Sequence, residues 1–295
     1  MHPLATGALA GVVASASLRA LMANAPGGAQ RWERTNHAGR RVTLLEGPAY
    51  AVGAAAAAAL AGAGPAPVLA ATASAGLGAL DDLAGDSSSK GLKGHLGALA
   101  RGQVTTGAVK VVGLGVTGLV TAALVDRDLR RAVADPRSTG VPTLVDTLVG
   151  GAVVAGSANL LNLLDLRPGR ALKAAILGAV ALTSPRATSG ESAPASSRAA
   201  SRSRTASRAS AAAAAGAALG LLPPDLRGEA MLGDTGANSA GALLGTALVQ
   251  ATGRRGRLVA LAVLTALTLA SEKVSFTRVI ESTPVLREVD ALGRR

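Results

Sequence analysis

TGAVKVVGLGVTGLVTAALV, residues 106–125, decides the fold. Gly113, Gly115 and Gly118 fit the G-x-G-x-x-G pattern of a dinucleotide-binding turn. Val109-Lys110-Val111-Val112 reads as a strand leading into it, and Asp135 lies 20 residues past Gly115. That reading predicts a soluble α/β enzyme. Against it, the glycines sit inside one continuous apolar run, and no second strand leads into Asp135, because Asp126 to Pro142 is polar and turn-rich. A run of about 20 apolar residues has the length of a bilayer-crossing helix. Glycines inside such a helix are ordinary close-packing residues. The stretch is therefore read as a membrane helix.

Composition agrees on both sides of that run. Of the 295 residues 49% are apolar and only 16% charged, with a mean hydropathy of +0.37, whereas soluble domains carry about 25% charge. Trp32, Tyr50 and Phe276 are the only aromatics, so the usual interfacial aromatic belts are nearly absent. The apolar runs rely on Ala, which predicts close packing of small residues; the competing reading is an Ala-rich soluble helical protein. There is no cysteine, which excludes disulfides, iron–sulfur clusters and thiolate zinc sites. His2, His37 and His95 are too few for a histidine-rich metal site. The net charge of +12 suits loops that meet anionic lipid head groups. No nucleic-acid module is recognisable, and there are too few aromatics for base stacking.

Apolar runs recur at 3–23, 48–64, 66–80, 106–125, 142–164, 171–184, 209–223, 237–252 and 257–271. The expectation is an all-α, polytopic transmembrane helical bundle of about nine to ten helices, forming one domain over 1–295. The run at 3–23 lacks a basic n-region and a clear cleavage site, and reads as a first span. Residues 186–210 are low-complexity Ser, Arg and Ala, predicting a disordered loop. The tail at 272–295 mixes polar and apolar residues and suits an interfacial helix.

Three acidic motifs border these runs. Asp81-Asp82 ends one, Asn159-x-x-Asn162-x-x-Asp165 ends another, and Gly233-Asp234-Thr235-Gly236 begins a third. Two runs lie between the 24–47 loop and Asp81-Asp82, two more lead to Asp165, and two more to Asp234. This even count puts all four loops on one face, and a modest excess of Lys and Arg there favours the cytoplasmic side. Each motif also has a plainer reading. Asp81-Asp82 is then a water-exposed helix end, and Asp234 an N-cap. Asn159 and Asn162 become interhelical hydrogen-bonding groups. Adjacent carboxylates repel unless a cation offsets them, and magnesium binds through one or two carboxylates plus substrate phosphates.

In order and spacing these motifs resemble the polyprenyl-phosphate N-acetylhexosamine-1-phosphate transferases, which include phospho-MurNAc-pentapeptide translocase. Residues 40–47 (RRVTLLEG) resemble the family's loop after the first helix. Leu80-Asp81-Asp82-Leu83 resembles its Asp-Asp signature, and residues 90–96 (KGLKGHL) the basic stretch that follows. Residues 159–165 (NLLNLLD) resemble its Asn-x-x-Asn-x-x-Asp motif, and residues 231–236 (MLGDTG) its Met-Gly-Asp-x-Gly motif. There are departures. Gly85 stands where the family often has the Lys of Asp-Asp-x-x-Lys. Leu166-Arg167-Pro168-Gly169 replaces Gly-x-Asp-Gly, and residues 271–276 contain no histidine. The resemblance therefore points to a divergent branch, not to the muramyl-pentapeptide translocase itself.

What the resemblance implies is transfer of a sugar-1-phosphate from a UDP-sugar to polyprenyl phosphate in cell-envelope glycan synthesis, with Mg2+ as cofactor. The enzyme is then a multi-pass cell-membrane protein with its site on the cytoplasmic face, and a homodimer is compatible. Asp81, Asp82 and Asp234 are the expected catalytic residues, with Asp82 and Asp234 holding the metal. Asn159, Asn162, Asp165, Lys90 and Lys93 are the expected substrate-binding residues. The alternative is a catalytically inactive paralogue that binds polyprenyl phosphate or scaffolds other membrane proteins.

Overall fold

The computed structural model describes residues 1–36, 39–84, 102, 105–132, 141–184 and 198–294. Each of the nine apolar runs becomes one helix: α1 (Pro3–Ala23), α2 (Glu46–Leu60), α3 (Pro65–Ala84), α4 (Thr106–Ala132), α5 (Leu144–Leu164), α6 (Arg170–Thr183), α7 (Arg198–Leu226), α8 (Gly233–Ala251) and α9 (Arg254–Ser271). Two short helices follow, α10 (Phe276–Ser282) and α11 (Pro284–Ala291). The fold is all-α apart from a small antiparallel hairpin, β1 (Glu33–Thr35) with β2 (Arg41–Thr43). Among the described residues, α1, α4 up to Arg131 and α5 are long and apolar enough to cross a membrane. A fourth candidate arises if α9 and α10 count as one bent span. At 15 and 14 residues, α2 and α6 are shorter than the roughly 20 residues a span needs.

α4 runs unbroken through the glycines that imitate a nucleotide-binding turn. A Cβ on Gly113 would meet the Leu77 side chain of α3, and one on Gly118 would clash with the Gly151 backbone of α5. Both are packing positions, as the membrane-helix reading requires.

α8 is the central post. Of its residues only Asp234, Leu248 and Ala251 escape full burial. It packs against α2, α3, α4, α5, α6 and α7. Small residues make this possible: a Cβ on Gly245 would lie 2.8 Å from Val154 Cα of α5. α1 and α7 meet the same way, Gly7 and Gly11 facing Gly216 and Gly220, with Ser15 Oγ donating to the Gly220 carbonyl at 2.9 Å. Helices with apolar surroundings associate through such close van der Waals contact and occasional hydrogen bonds.

The Ser/Arg/Ala segment corrects the expectation of a disordered loop. Residues 186–197 lie outside the described residues, but from Arg198 onward the segment is the first part of α7. Its serines are a packing seam. Ser203 Oγ donates to the Gln250 carbonyl at 2.6 Å, Ser207 Oγ to the Ala247 carbonyl at 2.7 Å, and Ser210 Oγ to Gln250 Oε1 at 3.0 Å. The spacing i, i+4, i+7 puts all three hydroxyls on one helix face, toward α8. The arginines need not be buried in such an arrangement; Arg202 is exposed.

The end of the bundle away from the acidic motifs is closed by charge. Arg257 donates to Asp126 at 2.8 Å and to the Asp146 carbonyl at 3.1 Å, and Thr147 Oγ1 donates to Asp126 at 2.7 Å. Arg257 and Asp126 are both buried, so either one left alone would be an uncompensated charge. Arg254 reaches Asp146 at 2.6 Å, where Asp146 and Thr143 form a capping box that starts α5.

Replacing Gly220 by Val forces α1 and α7 apart, because a Cβ there would lie 2.8 Å from Gly11 Cα. The expected loss is about 1–3 kcal/mol of stability, measured as a lower thermal midpoint of the detergent-purified protein, with Gly76→Val as the control because nothing lies within 4 Å of a Cβ there.

Candidate functional site

The helix ends bearing Asp81-Asp82 and Asp234 meet because two glycines let α8 start very close to its neighbours. A Cβ on Gly78, one turn before Asp81, would run into the Asp234 backbone. One on Gly47 would strike the first turn of α8, 2.7 Å from the Gly236 nitrogen. Gly233 itself has φ +60, a conformation that L side chains rarely adopt. A side chain there would also lie 2.9 Å from Asp82 Oδ2.

Asp82 caps α8 from another helix. The residue before α8, Leu232, has no capping side chain. Asp82 Oδ1 accepts from the Asp234 N–H at 3.1 Å. Its Oδ2 accepts from the Thr235 N–H at 2.9 Å and from Thr235 Oγ1 at 2.6 Å. The first N–H groups of a helix lack internal partners and carry partial positive charge, so a carboxylate suits them. The Asp82 backbone carbonyl accepts from Arg34 Nη2 on β1.

Asp81 and Asp234 have a different partner. Lys110, on the first turns of α4, sets its ammonium between them, 3.3 Å from Asp81 Oδ2 and in close contact with Asp234 Oδ2. These side chains are 14% (Lys110), 21% (Asp81) and 23% (Asp234) exposed, so the cluster opens to the surface. Asp81, not Asp82, shares a point with Asp234, which departs from the expected metal pair of Asp82 and Asp234. The reason is that the α8 N-terminus occupies both Asp82 oxygens. Two carboxylates aimed at one cationic point suit magnesium, which completes its shell with phosphate oxygens and water. Among the described residues, no group of three or more His, Asp or Glu is arranged to hold a metal by itself.

Asp165 ends α5 and turns inward beneath this pair. It is buried. Burial pushes its carboxyl well up from the usual carboxylate range, and the charge of Asp225 adds to that. The Gly233 N–H acts the other way, while the nearby charges of Asp234 and Asp82 raise it further. Glu46, Asp165 and Asp225 thus form an acidic group behind the surface cluster. Asp225 Oδ1 accepts from the Gly169 N–H at 2.9 Å. Asn162 is half-buried on the last turn of α5. Asn159 is directed elsewhere, its Nδ2 donating to Thr268 Oγ1 of α9 at 3.5 Å, which is the plainer interhelical reading of that residue. Lys90, Lys93 and His95 lie outside the described residues. His2 is a helix cap, its Nδ1 accepting from the Leu4 N–H at 3.3 Å.

The remaining walls come from loops at the same end. Thr43 N–H donates to the Glu229 carbonyl at 3.1 Å, and Met231 N–H to the Thr43 carbonyl at 3.0 Å, so β2 clasps the strand-like residues just before Gly233. The 24–47 loop, the ends of α3 and α5, and the start of α8 are therefore at one end of the bundle, as the run count required. The 165–170 corner is held by Arg170, which donates to Asp290 at 2.8 and 3.0 Å. Burial raises the Asp290 carboxyl, but hydrogen bonds from Arg170 and Arg294 outweigh it and bring it down to about 2. Asp290 is therefore ionised at physiological pH.

Sequence reasoning missed Lys110, Thr235 and the Glu46–Asp225 pair. Lys110 carried a signal: it is the lone charge in the 106–125 run, and an ionisable residue inside an apolar span is a functional candidate. Glu46 and Asp225 had none, since one precedes the 48–64 run and the other follows the 209–223 run in the way that many loop carboxylates do. No protein-family model and no curated protein sequence matches this chain.

Asp82→Ala is expected to cost about 1–3 kcal/mol, because it leaves buried N–H groups at the start of α8 without acceptors. Asp81→Ala, which caps nothing, is expected to leave the thermal midpoint nearly unchanged. Thermal unfolding of both variants in the same detergent checks the contrast.

Proposed function

We propose that this protein is an integral membrane transferase that moves a sugar-1-phosphate from a UDP-sugar to polyprenyl phosphate, releasing UMP, in cell-envelope glycan synthesis. One observation carries the reading. Asp82 and Asp234, 152 positions apart, join Asp81 and Lys110 in a single charged cluster at one end of an apolar bundle. A reaction between a water-borne nucleotide and a bilayer-borne acceptor needs its charged groups at such a place. The order of the motifs, which resembles that of the transferases, supports the same reading.

A multi-pass topology accounts for the surface. Val12 of α1, Val112 and Val116 of α4, Leu177 and Val180 of α6, and Val259 and Val263 of α9 are all more than half exposed. Lipid satisfies such faces where water does not. The shorter α2, α6 and α8 complete the bundle, and the excess of Lys and Arg favours the cytoplasm for the acidic face.

In the reaction, an acceptor-phosphate oxygen attacks the phosphorus bonded to the sugar, and the bond to the UMP oxygen breaks. Asp81 and Asp234 would hold magnesium, which supplies neutralisation of charge on the diphosphate. Lys110, which pairs with the same two carboxylates, would then give its compact positive charge to phosphate oxygens beside the metal. Asp82 keeps α8 in position and so fixes where Asp234 stands. Asp81 also faces the acceptor phosphate, which needs little deprotonation near neutral pH. Asn162 borders the sugar or nucleotide, with the buried Asp165 behind it, and Lys90 and Lys93 are the proposed phosphate clamp. Positioning and electrostatics carry most of the rate in chemistry of this kind.

The ion pairs of Lys110 with Asp81 and Asp234 favour a second reading, because they offset part of the cluster's negative charge with a group of the protein's own. Gly85 in place of the family lysine and the altered 166–169 segment point the same way. On this reading the chain binds polyprenyl phosphate without turning over a UDP-sugar.

Magnesium-dependent exchange of labelled UMP into a panel of UDP-sugars, with detergent-purified protein and decaprenyl phosphate, separates the two. Transferase activity predicts exchange with at least one sugar and a drop of about a hundredfold or more in Asp234→Asn and Lys110→Met. Exchange unaffected by Asp234→Asn would sink the metal assignment. Lipid binding without exchange selects the second reading, and neither binding nor exchange rejects both.

A further inference from the structure

The chain does not continue along α9. α10 leaves it at 94°. α9 runs alongside α5 in the same direction, since Arg254 meets Asp146 at the start of α5 and Thr268 meets Asn159 near its end. The turn therefore falls at the end of the bundle that holds Asp165, Asp82 and Asp234. α10 and α11 lie across that end.

α11 is amphipathic and packed inside out. Its buried residue is a carboxylate, Asp290, 8% exposed and gripped by Arg170. Lys173 Nζ adds donations to the Val289 carbonyl at 3.0 Å and the Asp290 carbonyl at 2.7 Å. Thr277 on α10 accepts from Arg170 at 2.9 Å, and Arg167 donates to Glu281 at 2.9 Å. The apolar side chains point away. Val285, Val289 and Leu292, spaced i, i+4, i+7 along one stripe, are 69%, 43% and 71% exposed, and Leu286 beside them is 46% exposed.

In water an amphipathic helix buries its apolar stripe. The opposite arrangement is stable where the outside is apolar, as for helices lying in the plane of a bilayer interface. The stripe follows the outward apolar residues of α9, of which Leu269 near its end is 63% exposed. Charge agrees with that placement. The Glu281 and Asp290 carboxylates are neutralised by Arg167, Arg170 and Arg294, and the exposed Lys273, Arg278 and Arg287 outnumber the exposed Glu272 and Glu288, a small positive excess that suits lipid phosphates.

We infer that α10 and α11 form an interfacial anchor, which seats the Val285–Val289–Leu292 stripe at the head-group level of the bilayer on the face of the acidic cluster. Through Arg170 and Asp290 the anchor ties the 165–170 corner to the membrane surface. The inference rests on the membrane reading, not on the transferase chemistry.

The absence of cysteine makes a depth measurement direct. Single cysteines replacing Val285, Val289, Leu292, Arg287 or Ala291, and Val263 of α9 as a control, are labelled with bimane in nanodiscs of phosphatidylcholine and phosphatidylglycerol. All six positions are exposed, so the fold is not put at risk. Lipids carrying a nitroxide near the head of the acyl chain are expected to quench labels at 285, 289 and 292 strongly, and those at 287 and 291 weakly. Quenching at 263 with none at 285, 289 and 292 overturns the anchor and leaves the membrane reading intact. No quenching at any position, 263 included, overturns both. Stronger quenching of the stripe by nitroxides at the chain ends shows a re-entrant segment and overturns the interfacial placement. Spontaneous disulfide-linked dimers of unlabelled Val289→Cys show that a second copy covers the stripe, and overturn it as well.

Discussion

The structure depends on how α8 begins. α8 is nearly wholly buried, and six other helices use it as their wall. Its first N–H groups have no capping residue of their own, and a helix end buried in that state is costly. Asp82 removes the cost from across the bundle by accepting from the Asp234 N–H, the Thr235 N–H and the Thr235 hydroxyl. Gly78 and Gly47 let the approach happen, and the left-handed Gly233 turns the chain into it. One carboxylate thereby docks α3 on α8 and places Asp234 next to Asp81.

That arrangement divides labour between neighbours that look alike. Asp81 and Asp82 are adjacent and chemically identical, yet on a helix they point about 100° apart. Asp82 turns to α8 and is used up in capping. Asp81 turns to Lys110 and stays near the surface. An ammonium between two carboxylates is a strong local arrangement, and a divalent ion with substrate phosphates is its chemical equivalent. The proposed activity and the proposed metal-free lipid binding differ in which of these the protein uses at work.

Charge is otherwise spent on the two ends of the bundle. At one end Arg257, Asp126, Asp146 and Arg254 lock α4, α5 and α9 together. At the other, Arg170 and Asp290 hold the last two helices over the 165–170 corner. Between the ends, Ala and Gly allow backbones to touch. A chain with so few large side chains gains little from any one contact and relies on many close ones.

The sequence by itself determined that the described residues are overwhelmingly helical and where the apolar stretches of α1 to α9 lie. Apolar runs separated by polar ones leave few alternatives, and Gly113 and Gly118 were recognisable as packing positions because the run did not break around them. It also determined which loops share an end, because the parity of runs is a property of order alone. Tertiary structure decided the rest. The Ser/Arg/Ala segment looked unable to fold because it lacks large apolar residues, yet its serines at 203, 207 and 210 find acceptors on α8, a partner invisible from local composition. Asn159 and Asn162 look equivalent in spacing, but only the packing of α9 shows that Asn159 is turned to Thr268. Lys110 joins Asp81 and Asp234 because α4 packs against α3 beside the start of α8. Residue types and spacing announce which groups are expensive to bury. Which groups relieve that expense is set by distances between segments far apart in the chain, and those exist only once the helices have packed.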